Sequence, residues 1–364
     1  MPPRLSGVDA ISPALERTKR QLFMPFNFGY WLRLATLCLL TGDLTGGGPP
    51  SGTGGLHLPA RRGQDLLAWA VFSDLPEFRW AEFLPWVIVG LVVLFALAIV
   101  FVYVASVFRF VLFETVVSGR CELMAGWRRW QRQGSSYFLW LIGFAFATFA
   151  VMAVVVGLPL FAAWQAGFLR NPGGHVALLI LGAIVLILVA AAVILASAVG
   201  ALFAKDFVVP IMALEDVGVL EGWRRLFPKL SAEPGAYAIY VLMKIVLAVG
   251  SAILFAVADF LVVFAVLIPV GIAAVIAYLV GSAAGLTWNT FTISLAAIAG
   301  GALLTVLLYV VSFVSAPAMV FFQAYALHFF GSRYPRLGEQ LSATSPEPRP
   351  SPFFPPAAGP LPAT

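Results

Sequence analysis

Gly126-Trp127-Arg128-Arg129 and Gly222-Trp223-Arg224-Arg225 are the same four residues met twice, each time between two long apolar runs. Working outward, Arg109-Phe110-Val111 precedes the first and Asp206-Phe207-Val208-Val209-Pro210 precedes the second. At an offset of 96, Leu123, Trp127 and Trp130 fall on Val219, Trp223 and Leu226, so the apolar positions match as well. An internal repeat of this kind predicts the architecture before any single residue does. The expectation is an all-α polytopic bundle of repeated helix hairpins with interfacial amphipathic helices.

Composition agrees. The chain is 61% hydrophobic and 11% charged, with a mean hydropathy of +0.96. A soluble domain is about half apolar and about a quarter charged, so lipid must supply part of this chain's solvent. The net charge of +5 lies beside the apolar runs, which points to membrane topology and anionic headgroups and away from nucleic acid. Cys38 and Cys121 give neither a disulfide framework nor a metal-ligand spacing, and no metal or cofactor is expected. Arg17, Lys19 and Arg20 precede a short apolar stretch without a cleavage pattern, so that stretch reads as a retained helix.

A membrane helix needs about 20 apolar residues. Runs 84–108, 137–163, 175–204, 236–266 and 291–316 qualify, and 28–42 is a short sixth that carries Arg33. The stretch 267–284, which contains Pro269, reads as a partial or re-entrant segment. Six crossings with the N-terminus inside put most of the basic residues on one side, among them Arg17, Arg20, Arg109, Arg128, Arg132, Lys205, Arg224, Lys229, Arg333 and Arg336. Only Arg61, Arg62, Arg79 and Arg170 fall on the other. The positive-inside rule then predicts a bacterial inner-membrane protein with both termini cytoplasmic. Residues 1–27 form a cytoplasmic segment, 28–335 the bundle, and 336–364 a proline-rich disordered tail. Gln64–Leu75 reads as a short outer-surface helix, with Trp69, Trp80 and Trp86 at headgroup level.

The repeated motif holds the candidate site. Its apolar face predicts an interfacial helix, with the indoles of Trp127 and Trp223 buried at acyl depth. Arg128, Arg129, Arg224 and Arg225 then lie on lipid headgroups. Two readings stand: simple anchoring, and a paired cytoplasmic platform for a partner or a headgroup. Glu114, Glu215 and Asp216 lie within reach of the arginines and predict ion pairs that lock the interfacial helix to the span ends. Lys244 is expected to snorkel, and Asp259, about 33 Å from the start of its helix, to emerge at the outer face. Ala192, Ala196, Gly200 and Ala204, and Ala297, Gly301 and Thr305, recur every four residues, as packing inside the monomer or a dimer interface requires. Pro210 and Pro317 lie in similar contexts and suggest a third, degenerate hairpin ending in Phe321–Gly331. Phosphate-loop, zincin, serine-elbow and dinucleotide signatures do not occur.

Leu22-Phe23-Met24-Pro25-Phe26, Phe110-Val111-Leu112-Phe113-Glu114-Thr115-Val116-Val117, Asp206-Phe207-Val208-Val209-Pro210-Ile211-Met212 and Tyr240-Val241-Leu242 together resemble an uncharacterised family of bacterial integral membrane proteins. That family in turn resembles the membrane domain of some glycerophosphodiester phosphodiesterases. The likeness covers roughly residues 10–335 and implies a helical inner-membrane bundle with no established activity. No catalytic residue carries over. The functional expectation is a non-enzymatic scaffold or accessory component acting through its cytoplasmic face. Its partners would be anionic lipid and another membrane protein. The alternative is a permease for an apolar or lipid-like solute.

Overall fold

The computed structural model describes residues 5–24, 26–42, 80–168, 175–285 and 289–343. The expectations for Gln64–Leu75, for the indoles of Trp69, Trp80 and Trp86, and for the tail beyond residue 343 fall outside what is described. Among the described residues there is no strand. The helices are α1 (Ile11–Phe23), α2 (Phe28–Thr41), α3 (Trp80–Ser118), α4 (Leu123–Gln165) and α5 (Val176–Phe203). After a π-turn at Ala204–Val208 come α6 (Val209–Glu215), α7 (Val219–Ala232), α8 (Pro234–Ala283), α9 (Thr290–Gly331) and α10 (Pro335–Ala343).

Five helical stretches, Val87–Ser118, Leu123–Gln165, Val176–Glu215, Pro234–Ala283 and Phe291–Gly331, are long and apolar enough to cross a bilayer. Each contains one of the five long apolar runs read from the sequence, or all of it but its first one to three residues. The short run became α2, whose 14 residues reach about 21 Å, less than a hydrocarbon core of about 30 Å. Asn27 caps it by accepting from the Tyr30 amide.

The expected interruption at Pro269 does not occur: α8 runs unbroken for 50 residues. Proline removes one backbone donor, but ending a helix in an apolar run would strand several more polar groups, at several kcal/mol each in hydrocarbon. The structure therefore gives 267–284 as a continuation of the helix in place of a re-entrant segment.

Burial is concentrated at one end of the bundle. Phe110, Val111 and Val116 of α3 pack with Phe207, Val208 and Met212, with Tyr237 and Tyr240 of α8, and with Tyr325, Phe329 and Phe330 of α9. This layer carries most of the described basic residues, and α1, α7 and α10 enclose it. Away from it the long helices expose their apolar residues, for example Leu91, Phe146, Leu188, Leu254 and Leu295. Leucine can do that only where the surroundings are also apolar.

Both described ends of the chain lie in the basic layer. Tyr325 Oη donates to the Gly7 carbonyl at 2.8 Å, and Arg333 donates to the Leu5 carbonyl at 2.8 Å. Leu337 and Leu341 of α10 are buried there as well.

The small-residue runs meet different surroundings. A Cβ on Gly200 would lie 3.3 Å from the Phe144 ring, so that run does approach α4. Ala297, Gly301 and Thr305 are exposed, and a Cβ on Gly301 would meet nothing within 4 Å. Packing inside the monomer does not account for the second run. Lipid exposure leaves its small residues without a contact to make.

Candidate functional site

The two Gly-Trp-Arg-Arg segments both sit in the basic layer, each folded back on the helix before it. Gly119 ends α3 at φ +72°, and Asp216 ends α6 at φ +51°. These left-handed residues turn the chain so that Gly126 meets Val111 and Gly222 meets Val208. A Cβ on Gly126 would stand 2.9 Å from a Val111 methyl, and one on Gly222 would stand 2.8 Å from a Val208 methyl. Only glycine admits so close an approach without displacing the valine.

The segments then diverge. The first was expected as a separate interfacial helix, but it forms the opening turns of α4 and runs straight into the apolar span. The second is a helix of its own, α7. The break lies at Glu233, whose φ of −138° is non-helical. Glu233 precedes Pro234, and proline pushes the preceding residue out of the α region. The corresponding Tyr137 is followed by Phe138, so α4 has no reason to bend.

Trp127 and Trp223 are half-buried against protein rings. Trp127 meets Tyr103 and Phe108 at centroid distances of 5.9 and 5.4 Å, and Trp223 meets Trp140 at 6.0 Å. Both indoles thus brace the segment on a neighbouring span. What each helix exposes is its first turn: Met124 is 81% exposed and Leu220 is 79% exposed. One turn later stand the exposed guanidinium groups of Arg128 and Arg224. The i, i+4 spacing puts each apolar residue and its arginine on one stripe. The sequence pattern had placed both indoles at acyl depth and missed Met124 and Leu220.

The acidic residues pair as expected. Glu114 binds Arg129 and accepts from Trp130 Nε1 at 2.6 Å. Glu215 binds Arg225 and lies 3.9 Å from Arg336 of α10. Asp216 accepts from Gln133 and lies 4.0 Å from Arg132, tying the α6–α7 turn to α4. These exposed or half-exposed pairs fix orientation more than they stabilise, because solvent screens them. The second arginine of each segment pairs back to the preceding helix, and the first, Arg128 or Arg224, stays on the outer surface, Arg224 in an ion pair with Glu221 of its own helix at 2.9 Å.

A second polar cluster lies inside the layer. The π-turn at Ala204–Val208 turns Lys205 and Asp206 inward, and both are buried. Asp206 Oδ2 accepts from Lys244 Nζ at 2.5 Å and from Tyr240 Oη at 2.9 Å. Lys244 was expected to snorkel, yet it is buried in this pair, because the Asp206 carboxylate meets its charge inside the bundle. Since Lys244 belongs to the buried layer, Asp259 stands 15 residues, about 22 Å, beyond it. Beside the ion pair lies a cavity of about 10 Å³ lined by Leu112, Lys205, Asp206, Lys244, Met319, Phe322 and Gln323.

Cys121, in the α3–α4 turn, is buried, and desolvation pushes its thiol up to about 11. Among the described residues no group of three or more His, Cys, Asp or Glu side chains is placed to hold a metal.

Comparison with curated proteins and with solved structures returns no match. The match that does arise carries no link to the phosphodiesterase membrane domain. It is to a family model spanning residues 5–339, nearly the whole chain. The chain belongs to that family, a family of unknown function (DUF7544).

Proposed function

We propose that this is a multi-pass membrane scaffold or accessory protein that engages another membrane component through its basic end, on the cytoplasmic side of a bacterial inner membrane. The observation that carries the reading is the matched pair of stripes, Met124 with Arg128 and Leu220 with Arg224. An exposed apolar residue beside an exposed cation suits an amphipathic partner with acidic groups. Duplication of the hairpin accounts for the matching. Arg109-Phe110-Val111 corresponds to Lys205, Phe207 and Val208, and the extra residue, Asp206, is housed in the π-turn. The common left-handed turns and valine–glycine contacts support the same reading. Placing a photocrosslinker at Met124 or Leu220, followed by mass spectrometry, tests it. A reproducible protein adduct at both positions is expected; adducts to bulk lipid alone would count against a scaffold.

The second reading is movement of an apolar or lipid-like solute. Its support is the loose packing, among the described residues, of the apolar halves of the spans, where a Cβ on Gly143, Gly250 or Gly301 would have nothing within 4 Å. Reconstituted protein that accelerates transbilayer movement of a labelled lipid would favour it.

A further inference from the structure

We propose that the elbow joining α1 to α2 is a lipid-inserting anchor, in which Phe23, Met24, Phe26 and Phe28 seat among the acyl chains of the leaflet at the basic end and Lys19 meets its phosphates. The proposal rests on the chain being a membrane protein and needs neither reading of the function above.

Four large apolar side chains within six positions, Phe23, Met24, Phe26 and Phe28, are each more than half exposed. Single apolar residues on a surface need no explanation, but a contiguous group marks a site for lipid or a partner. The core behind them is already filled. Trp31 is buried there, and its ring meets Phe23 at 5.6 Å and Phe26 at 5.9 Å. The elbow is also held in place. Trp31 Nε1 donates to the Leu22 carbonyl at 2.9 Å, closing the turn. On α1, Arg17 donates to the Val117 carbonyl and Gln21 to the Thr115 carbonyl, both at 2.8 Å, which ties α1 to the last turn of α3.

Two observations choose lipid as the occupant. The first is continuity. The Phe28 ring lies 6.0 Å from that of Phe313, and Tyr309 Oη donates to the Leu32 carbonyl at 2.9 Å. Those α9 residues follow directly on Leu304, Val306 and Leu308, part of the exposed apolar surface of the spans. The elbow extends that surface where it meets the buried basic layer. The second observation is charge. Leu15, Lys19 and Phe23 follow one another at i, i+4 and i+8 on the exposed side of α1, beside the buried row of Ala14, Thr18 and Leu22. Arg20 binds Glu16, whereas Lys19 makes no ion pair among the described residues. An apolar–cation–apolar stripe leading into exposed rings is the pattern of an interfacial segment, with the rings at acyl depth and the ammonium reaching back to phosphates.

The test uses the full chain carrying Cys38→Ala and Cys121→Ala, reconstituted in nanodiscs of phosphatidylcholine and phosphatidylglycerol. A polarity-sensitive fluorophore is attached at Phe26→Cys. Leu254→Cys, in the exposed apolar part of α8, and Glu339→Cys, exposed on α10, serve as references. Quenching by a nitroxide-bearing acyl chain is compared with quenching by aqueous iodide. Position 26 should follow position 254, with strong nitroxide quenching and several-fold weaker iodide quenching than position 339. Lys19→Glu, which sets a carboxylate against the phosphates, should shift position 26 towards iodide. Met24→Cys carries the same test if Phe26→Cys fails to fold. Position 254 reports whether the chain lies in the bilayer at all, so a failure confined to position 26 counts against the elbow alone. Iodide quenching as strong as at position 339 would overturn the proposal. Shielding from both quenchers would overturn it too, because a protein surface would then cover the elbow. Unchanged quenching in Lys19→Glu would overturn the contact assigned to Lys19.

Discussion

Lys244 Nζ lies 2.5 Å from Asp206 Oδ2 although the two residues are 38 apart in the chain, and both side chains are buried. Removing one partner leaves the other charge buried and unpaired. Lys244→Met should therefore destabilise the fold by about 3–5 kcal/mol. Adding Asp206→Leu should restore much of that loss, since a buried pair contributes little over apolar packing. Unfolding titrated with a denaturing detergent measures both.

The glycines predict opposite outcomes according to what faces them. A Cβ on Gly134 would stand 2.8 Å from the Val107 backbone, where nothing can yield cheaply. Gly134→Ala should cost about 1–3 kcal/mol. Gly143, on the same helix, has nothing within 4 Å, so Gly143→Ala should be neutral or stabilise by up to about 1 kcal/mol. The same titration separates them.

Asp216 holds a left-handed conformation that glycine occupies at the corresponding Gly119. Substitution should therefore affect the two positions unequally. Gly119→Ala loses about 1 kcal/mol, while Asp216→Gly gains backbone relief and loses its contacts to Arg132 and Gln133. A net change near zero is expected for Asp216→Gly, read from the same unfolding curves.

Burial holds the Cys121 thiol protonated well above neutral pH, with its value raised from 9.0 to about 11. Thiolate is the reactive form, so maleimide should not label Cys121 in the folded protein at pH 7–8. Labelling should appear on denaturation. Because the folded state holds the proton more tightly, this group stabilises the fold below about pH 9, and that contribution fades as pH rises towards 11. Prompt labelling of the native protein would show the turn to be open.

The long apolar runs were legible because they rest on composition alone, and five of them became long helices. The ion pairs of Glu114 and Glu215 were legible because each lies within 15 residues of its arginine, whereas Asp216 turns to Arg132 of the other segment, which local spacing does not reveal. Lys244 was misread because its partner stands on another helix, which no local spacing reveals. Pro269 was over-read as a break: the local rule is sound in water, but an apolar run leaves the helix no better alternative. At Glu233-Pro234 the same chemistry does end a helix, where the neighbours are polar and backbone groups can be met. The exposed stripes of Met124 and Leu220 were hidden because Trp127 and Trp223 looked like the anchors, and only packing against Tyr103, Phe108 and Trp140 turns the indoles inward.

The central claim is that the two Gly-Trp-Arg-Arg segments share one side of the membrane, opposite the α8–α9 turn. It is tested most directly by labelling single cysteines with a membrane-impermeant maleimide in a chain carrying Cys38→Ala and Cys121→Ala. Arg128→Cys and Arg224→Cys should label together, from the cytoplasmic side only, and Gly285→Cys should label from the opposite side only. Labelling of Arg128→Cys and Arg224→Cys from opposite sides would contradict the claim.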